Sequence, residues 1–439
     1  MLQIFRVPTL FSNGETATDQ ALVVETATGM ITARYDWAAL PPEQPRQAHS
    51  FPEHWAMVPG FANTHIHTFQ SLLKGVADDC DFFTWRKKAL YRYATKLTPD
   101  DLYVGALFAF AETLLCGTTT VCDFFYIHDQ ANDNALGIIR AARDLGLRVV
   151  MARTLYDWDG APTRFIESPD VAVSNTRQLI AHVATDPYVS VLPAPHSLHG
   201  ASLPLIQAGE ALSRELNVPF HMHVAEGEYE RQIFLDREGL SPVQYLAKQG
   251  ILNNRLVMIH AVWVDEADIA SMGQAQCSVA YNPSSNMFLG DGITPLIALE
   301  NTGVTITLGT DGGCSNNRAS VIEEMRMASL LQKVTHRNST VTTARQMLRY
   351  GTHNAARVLN LPIGSLTPGH AADFTLINRH DLSMLPDSDW VSNFIYSSQP
   401  QAIQQVYVGG QCIMTDGDLV RMPVAKIIEK IQACWQRLQ

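Results

Sequence analysis

Trp55-Ala-Met-Val-Pro-Gly-Phe-Ala-Asn-Thr-His65-Ile-His67 is an apolar run, broken by Pro59-Gly60, that ends in two histidines one residue apart. On an extended strand, residues i and i+2 point to the same face, about 6–7 Å apart. Two imidazoles on one face of a strand end can hold one metal ion. His-x-His also arises by chance, so the reading depends on how the rest of the chain is built.

From residue 55 to about 312 the chain repeats one rhythm. Apolar, β-branched runs occur at Trp55–His67, Thr118–Tyr126, Arg148–Asp157, Val189–Ser197, Val218–Glu226, Leu256–Val262, Cys277–Asn282 and Val304–Asp311. Helical patterns lie between them. The clearest is Leu102–Leu115, preceded by Thr98-Pro-Asp-Asp, in which Thr caps, Pro takes the first turn and the acids face the positive helix end. Eight strand–helix units predict the α/β class, as a (β/α)8 TIM barrel. A doubly wound sheet would show a Gly-rich turn after its first strand, and none follows His67. Before residue 55, Ala21–Glu25, Thr28-Gly29 and Met30–Ala33 read as strand, turn, strand, and Pro41 to Pro52 as a loop. After the last run, Ser320–Gln332 and Thr342–Leu359 read as helices, Ala372–Asn378 and Ala402–Val408 as strands, and Val424–Gln439 as a helix. The expected organisation is a barrel over 58–364, with residues 1–57 and 365–439 forming a small β-sandwich domain and a C-terminal helix.

Composition narrows the function. The chain has 439 residues, net charge −11 and 46% hydrophobic content. It shows no basic stripe, so a nucleic acid polymer is not an expected partner. No apolar stretch approaches membrane-spanning length. Seven scattered cysteines without C-x-x-C, and no signal peptide at the N-terminus, fit free thiols in a reducing cytoplasmic setting.

In a barrel of this kind, chemistry gathers at the C-terminal strand ends. Those ends carry His65, His67, Tyr126, Arg153, Asp157, His196, His223 with Glu226, His260 and Asp311. Buried charge is costly unless paired or coordinated, so this concentration points to a site. On Phe220-His221-Met-His223-Val-Ala-Glu226 both histidines face the same way. His223 is nearer the end and is favoured as the ligand, with His221 deeper. His65, His67, His223 and Asp311 offer three nitrogens and a carboxylate, a set that suits zinc, with iron(II) the alternative, and leaves a position for water. A water on such a metal has its pKa lowered to about 7, which makes hydroxide available at neutral pH. Glu226 is placed to shuttle the proton, His260 to hold the attacking oxygen or polarise the substrate, and Asp311 to bind the metal and accept a hydrogen bond from the attacking oxygen. The predicted reaction is hydrolytic attack on an sp2 carbon. The fourth run ends Pro193-Ala-Pro-His196-Ser without a lysine, so one divalent metal ion is expected rather than two. The H-x-E and P-C-x-x-C elements of cytidine-deaminase-type zinc sites are absent from the sequence.

Pro59–His67, His223-Val-Ala-Glu226, Ile259-His260-Ala, Asn282-Pro-Ser-Ser-Asn286, Gly309-Thr-Asp311-Gly and Ile363–Asp373 together resemble the amidohydrolase superfamily in its branch of hydrolytic deaminases, over nearly the whole chain. The resemblance implies metal on His65, His67, His223 and Asp311, with Glu226 and His260 catalytic. The front half is similar to formiminoglutamate deiminases, in which the positions matching Gln70, Arg86, Tyr126 and His196 face the substrate; a further substrate-binding arginine is His199 here. The back half looks more like deaminases of purines, adenosine derivatives and pterins, where arginines roughly matching Arg153 and Arg164 hold the substrate's tail. Trp85, Phe69 and Tyr126 could wall a flat ring. Arg153, inside a strand, should be paired or ligand-facing, and the site is the favoured reading. The expected activity is release of ammonia from an amino-substituted nitrogen heterocycle of purine, adenosine-derivative or pterin type. The alternative is an N-formimino-amino-acid deiminase. Superfamily members are often dimers, so a homodimer is among the expected assemblies.

Overall fold

The computed structural model of the chain describes residues 1–42, 44 and 48–439. Its N-terminal strands are β1 (Leu2–Ser12), β2 (Glu15–Glu25), β3 (Met30–Asp36), β4 (Ala48–Ser50) and β5 (Trp55–Pro59). Gly60 then separates β5 from β6 (Phe61–His67), and the two belong to different sheets. The run read as one interrupted strand is therefore a junction. A Cβ at position 60 would stand 2.2 Å from the Thr119 hydroxyl oxygen, so only glycine lets the chain pass there.

The following strands are β7 (Thr118–Phe125), β8 (Arg148–Leu155), β9 (Val189–Pro195), β10 (Phe220–Val224), β11 (Leu256–His260), β12 (Ser278–Tyr281), β13 (Thr305–Leu308) and β14 (Asp311–Gly312). All pair in parallel, β6 to β9 in succession and β10 to β13 in succession. A bridge between Ser197 and His223 joins β9 to β10. Gly309 and Thr310 carry β13 into β14, which pairs with β6. Parallel pairing thus passes through all eight expected runs and returns to the first. Every residue of β6, β7, β8, β10, β11 and β12 is buried, as parallel strands covered on both faces require. The covering helices begin as the sequence indicates. Before helix Pro99–Leu115, the Thr98 hydroxyl accepts from the Asp101 amide and Asp101 accepts from the Thr98 amide.

The chain ends meet in one sheet. β15 (Phe374–Asn378), β16 (Ile403–Val408), β17 (Gln411–Thr415) and β18 (Asp418–Leu419) complete a nine-stranded sheet ordered β18-β17-β16-β15-β5-β1-β2-β3, with β4 beside β1. β1 and β16 are three places apart, about 14 Å on a flat sheet. Yet the rings of Phe5 and Tyr407 are 5.4 Å apart, so the sheet folds over a core that includes Phe51, Met57 and Phe374. Arg148 at the start of β8 forks onto Asp373 at 2.8 and 3.2 Å, and Asp373 also accepts from the Gly409 amide; this ties the parallel strands to the end sheet. Strand β17 and the helices Glu228–Glu238 and Trp390–Tyr396 were not expected. Among the described residues no helix is long and apolar enough to cross a membrane.

Candidate active site

His65 and His67 end β6, and both Nε2 atoms face the same oxygen of Asp311, Oδ1, at 3.2 and 3.3 Å. The Nδ1–H of His67 donates to the Phe124 carbonyl at 2.7 Å, and that of His223 to the His196 carbonyl at 2.9 Å. An imidazole held this way keeps its other lone pair free for a metal. One donor atom each from His65, His223, His260 and Asp311 lie within 4.8 Å of one another. This set contains three of the four expected ligands and takes His260 in place of His67. His67 stands beside the set, its ring held by Phe124 and stacked on His223 with 5.5 Å between centroids. His221 is fully buried beneath the site, with Nδ1 3.8 Å from the Cys122 sulfur, which separates the two histidines of β10 as expected.

Protonation states suit a cation. Burial lowers His65 to about 3 and His223 well below its ordinary value, so both stay neutral. Burial works to raise Asp311, but hydrogen bonds from His65 and His67 outweigh it and hold the carboxylate well below its usual range. Glu226 goes the other way: burial first, then the Asp311 and Glu230 carboxylates, push it well up. Glu226 Oε1 stands 3.5 Å from His260 Nε2, while His260 Nδ1 meets the Asn286 side-chain oxygen at 2.8 Å. Ala225, His260, Ala261 and Asp311 all have positive φ. At roughly 1–3 kcal/mol each, such conformations persist where surrounding structure enforces them. Buried His65 Nδ1 and His260 Nε2 have no hydrogen-bond partner. The clustered imidazoles, one ionised carboxylate and these unmet nitrogens fit a divalent metal.

A cavity of about 50 Å³ opens onto the cluster. Among its walls are His67, His223, Glu226 and Asp311, together with Gln70, Trp85, Arg86, Tyr126 and His196. Gln70 Nε2 donates to the Tyr126 oxygen at 2.9 Å, and its Oε1 accepts from the Cys314 thiol at 3.3 Å. Trp85 donates from its ring nitrogen to the Cys314 carbonyl at 2.7 Å. Arg86, in a π-helical turn over Arg86–Tyr91, lies over the rings of Phe83, Tyr91 and Trp158. Phe69 packs edge-on against Tyr126 behind the wall.

Two arginines fall outside this group. Arg153 is fully buried, and its guanidinium is spent on Glu167, at 2.8 and 2.9 Å, and on Asn132 at 2.8 Å. Its assignment as a substrate contact is corrected: a strand arginine must be paired or ligand-facing, and here it is paired. Arg164 is likewise taken up by Asp129 and by the carbonyls of Ala94 and Leu97. His199, which stands at the position of a substrate-binding arginine, lines the cavity, as do Tyr156 and Phe82, which sequence reasoning passed over. It also passed over Asp123, whose two oxygens accept from the Thr68 amide and hydroxyl at 2.9 and 2.8 Å and fix the turn that carries Gln70. A lone acid within the apolar run Thr118–Phe125 was the available signal.

Gly312 explains one glycine of the Gly309-Thr-Asp311-Gly motif. A Cβ there would meet Gln70 Oε1 at 1.7 Å. Gly312→Ala is expected to displace the Gln70 amide, raise KM and leave metal content unchanged; steady-state kinetics with metal analysis checks this.

The comparisons with known proteins agree with this geometry. Residues 56–413 match the amidohydrolase family. The chain is 31% identical over 382 residues to a 5-methylthioadenosine/S-adenosylhomocysteine deaminase of Caldicellulosiruptor saccharolyticus, covering 87% of this chain and 85% of that one. It is 31% identical over 379 residues to a 5'-deoxyadenosine deaminase of Methanothermobacter thermautotrophicus, covering 86% of each. A zinc-bound adenosine deaminase from Xanthomonas campestris superposes with a TM-score of 0.91 at 26% identity, over 99% of this chain and 98% of that one. With a family match spanning most of its length and a relative 31% identical over 87% of it, this chain belongs to the amidohydrolase family.

Proposed function

We propose that this amidohydrolase is a hydrolytic deaminase that releases ammonia from the amino-substituted ring of an adenosine-type compound, with one zinc ion as its metal. The observation that carries the reading is the convergence of His65, His223, His260 and Asp311 beside a buried Glu226, at the floor of an aromatic-walled cavity. The deaminase names of the relatives support the same conclusion. We assign His65, His67, His223 and Asp311 as ligands, and Glu226 and His260 to the chemistry. The eight-strand ring is read as a (β/α)8 barrel over 58–364, and the folded-over end sheet as a β-sandwich of residues 1–57 and 365–439.

When bound, the metal supplies Lewis acidity that lowers the pKa of a water to about 7. Glu226 takes one proton of the attacking water and hands it to the ring nitrogen next to the reacting carbon; the second water proton goes to the amino group, whose bond to carbon breaks to release ammonia as the oxygen becomes a carbonyl. His260, fixed through Nδ1 by Asn286, holds the attacking oxygen. Trp85, Tyr126 and His196 pack against the flat ring, and Gln70 hydrogen-bonds its edge. Arg86 faces the part of the substrate nearest the opening.

A formimino dicarboxylic acid would need two cationic clamps. With Arg153 and Arg164 consumed by internal partners, Arg86 is the one cavity arginine left among the described residues, which favours the heterocycle. Dialysis against a chelator is expected to bring ammonia release from adenosine to background, and one equivalent of zinc per chain to restore it. Activity that survives complete metal removal would refute the proposal.

A further inference from the structure

Asp311 uses its two oxygens differently. Oδ1 faces His65 and His67. Oδ2 accepts from the Ser285 hydroxyl at 2.6 Å and from the Ser315 hydroxyl at 3.0 Å. Ser285 lies in helix Pro283–Leu289, just after β12, and Ser315 just after β14. The loops that carry these serines are gripped by one further side chain. Glu324, on helix Val321–His336, is fully buried. One of its oxygens accepts from the Ser284 amide at 3.0 Å, and the other from the Asn316 side chain at 2.8 Å. Asn316 also donates to the Thr310 carbonyl at 2.8 Å. Glu324 therefore holds the residue before Ser285 and the residue after Ser315. Among the described residues no arginine or lysine pairs with it. A buried acid without a cationic partner is a poor way to fill space, so its two hydrogen bonds must be what it contributes.

We infer that Ser285, Ser315 and Glu324 are positioning residues that aim Asp311 Oδ1 at the metal and cap Oδ2; the inference rests on the metal site assigned above. An ionised carboxylate offers about two lone pairs per oxygen, and both sites on Oδ2 are filled by hydroxyls. Asp311 would then offer Oδ1 alone to the metal, with Oδ2 closed both to the metal and to the proton of the attacking water. That proton has Glu226 as its acceptor.

The test is zinc affinity, measured by competition with a chelator on the full-length protein, with the thermal midpoint followed in parallel. Second-sphere partners of metal ligands are typically worth 10–100-fold in affinity. The Ser285→Ala/Ser315→Ala double variant is expected to lose that much while still folding, and Glu324→Gln to move in the same direction. Ser285→Thr keeps the hydroxyl and is expected to stay near the parent. The inference is overturned if the double alanine variant binds zinc as tightly as the parent, or if Ser285→Thr loses as much affinity as Ser285→Ala. A parent protein that binds no zinc overturns the metal assignment and this inference together; unaltered affinity in the variants of an active parent overturns this inference alone.

Discussion

Glu226→Gln is expected to lower ammonia release by roughly 10²–10⁴-fold, the range for a lost general acid–base group, with zinc content and folding unchanged. Glutamine has nearly the same shape and fits the same buried space. It cannot take a proton from water or deliver one to the ring. Glu226 is not among the four clustered donors, so the metal should remain bound. KM should change little if Glu226 acts mainly on the proton in the transition state. A variant with one zinc per chain and full turnover would remove Glu226 from the mechanism.

Arg153→Met is expected to destabilise the protein by about 3–5 kcal/mol, the range for breaking a buried ion pair from one side. The loss leaves Glu167 buried without its cation, and Glu167 is further tied to Asn175 at 2.7 Å. Replacing both partners, as in Arg153→Met with Glu167→Leu, should recover much of the loss, because no charge is then stranded. Urea unfolding of the parent and the two variants measures this. If Arg153→Met were as stable as the parent but had a strongly raised KM, the guanidinium would be a substrate contact after all.

The contrast between these residues shows what a sequence carries. Residues at the ends of regular elements were readable: His65, His67, His223, His260 and Asp311 each close an apolar run, and parallel topology sends those ends to one place. Arg153 also lies in such a run, but its partner Glu167 sits in a connecting segment with no periodicity to announce it. Glu324 was equally hidden, since a glutamate near a helix start reads as a solvent-facing acid, and its burial follows from two loops docking on it. Helix Glu228–Glu238 escaped because three of its apolar residues, Ile233, Phe234 and Leu235, are consecutive, and periodicity needs an apolar stripe on one face to register. The division of Trp55–His67 between two sheets was signalled by Pro59-Gly60, but the identity of the second sheet depends on β15, more than 300 residues downstream.

The central claim is that the aromatic-walled cavity and its metal cluster serve hydrolysis of a ring amine. It is tested most directly by measuring kcat/KM for ammonia release from adenosine, 5'-methylthioadenosine, S-adenosylhomocysteine and N-formimino-glutamate, using protein of known zinc content. Turnover of the adenosine-type compounds, abolished by Glu226→Gln, is expected, with negligible turnover of the formimino acid. Turnover confined to N-formimino-glutamate would contradict the claim and would mean that Arg86, without help from Arg153, governs substrate choice.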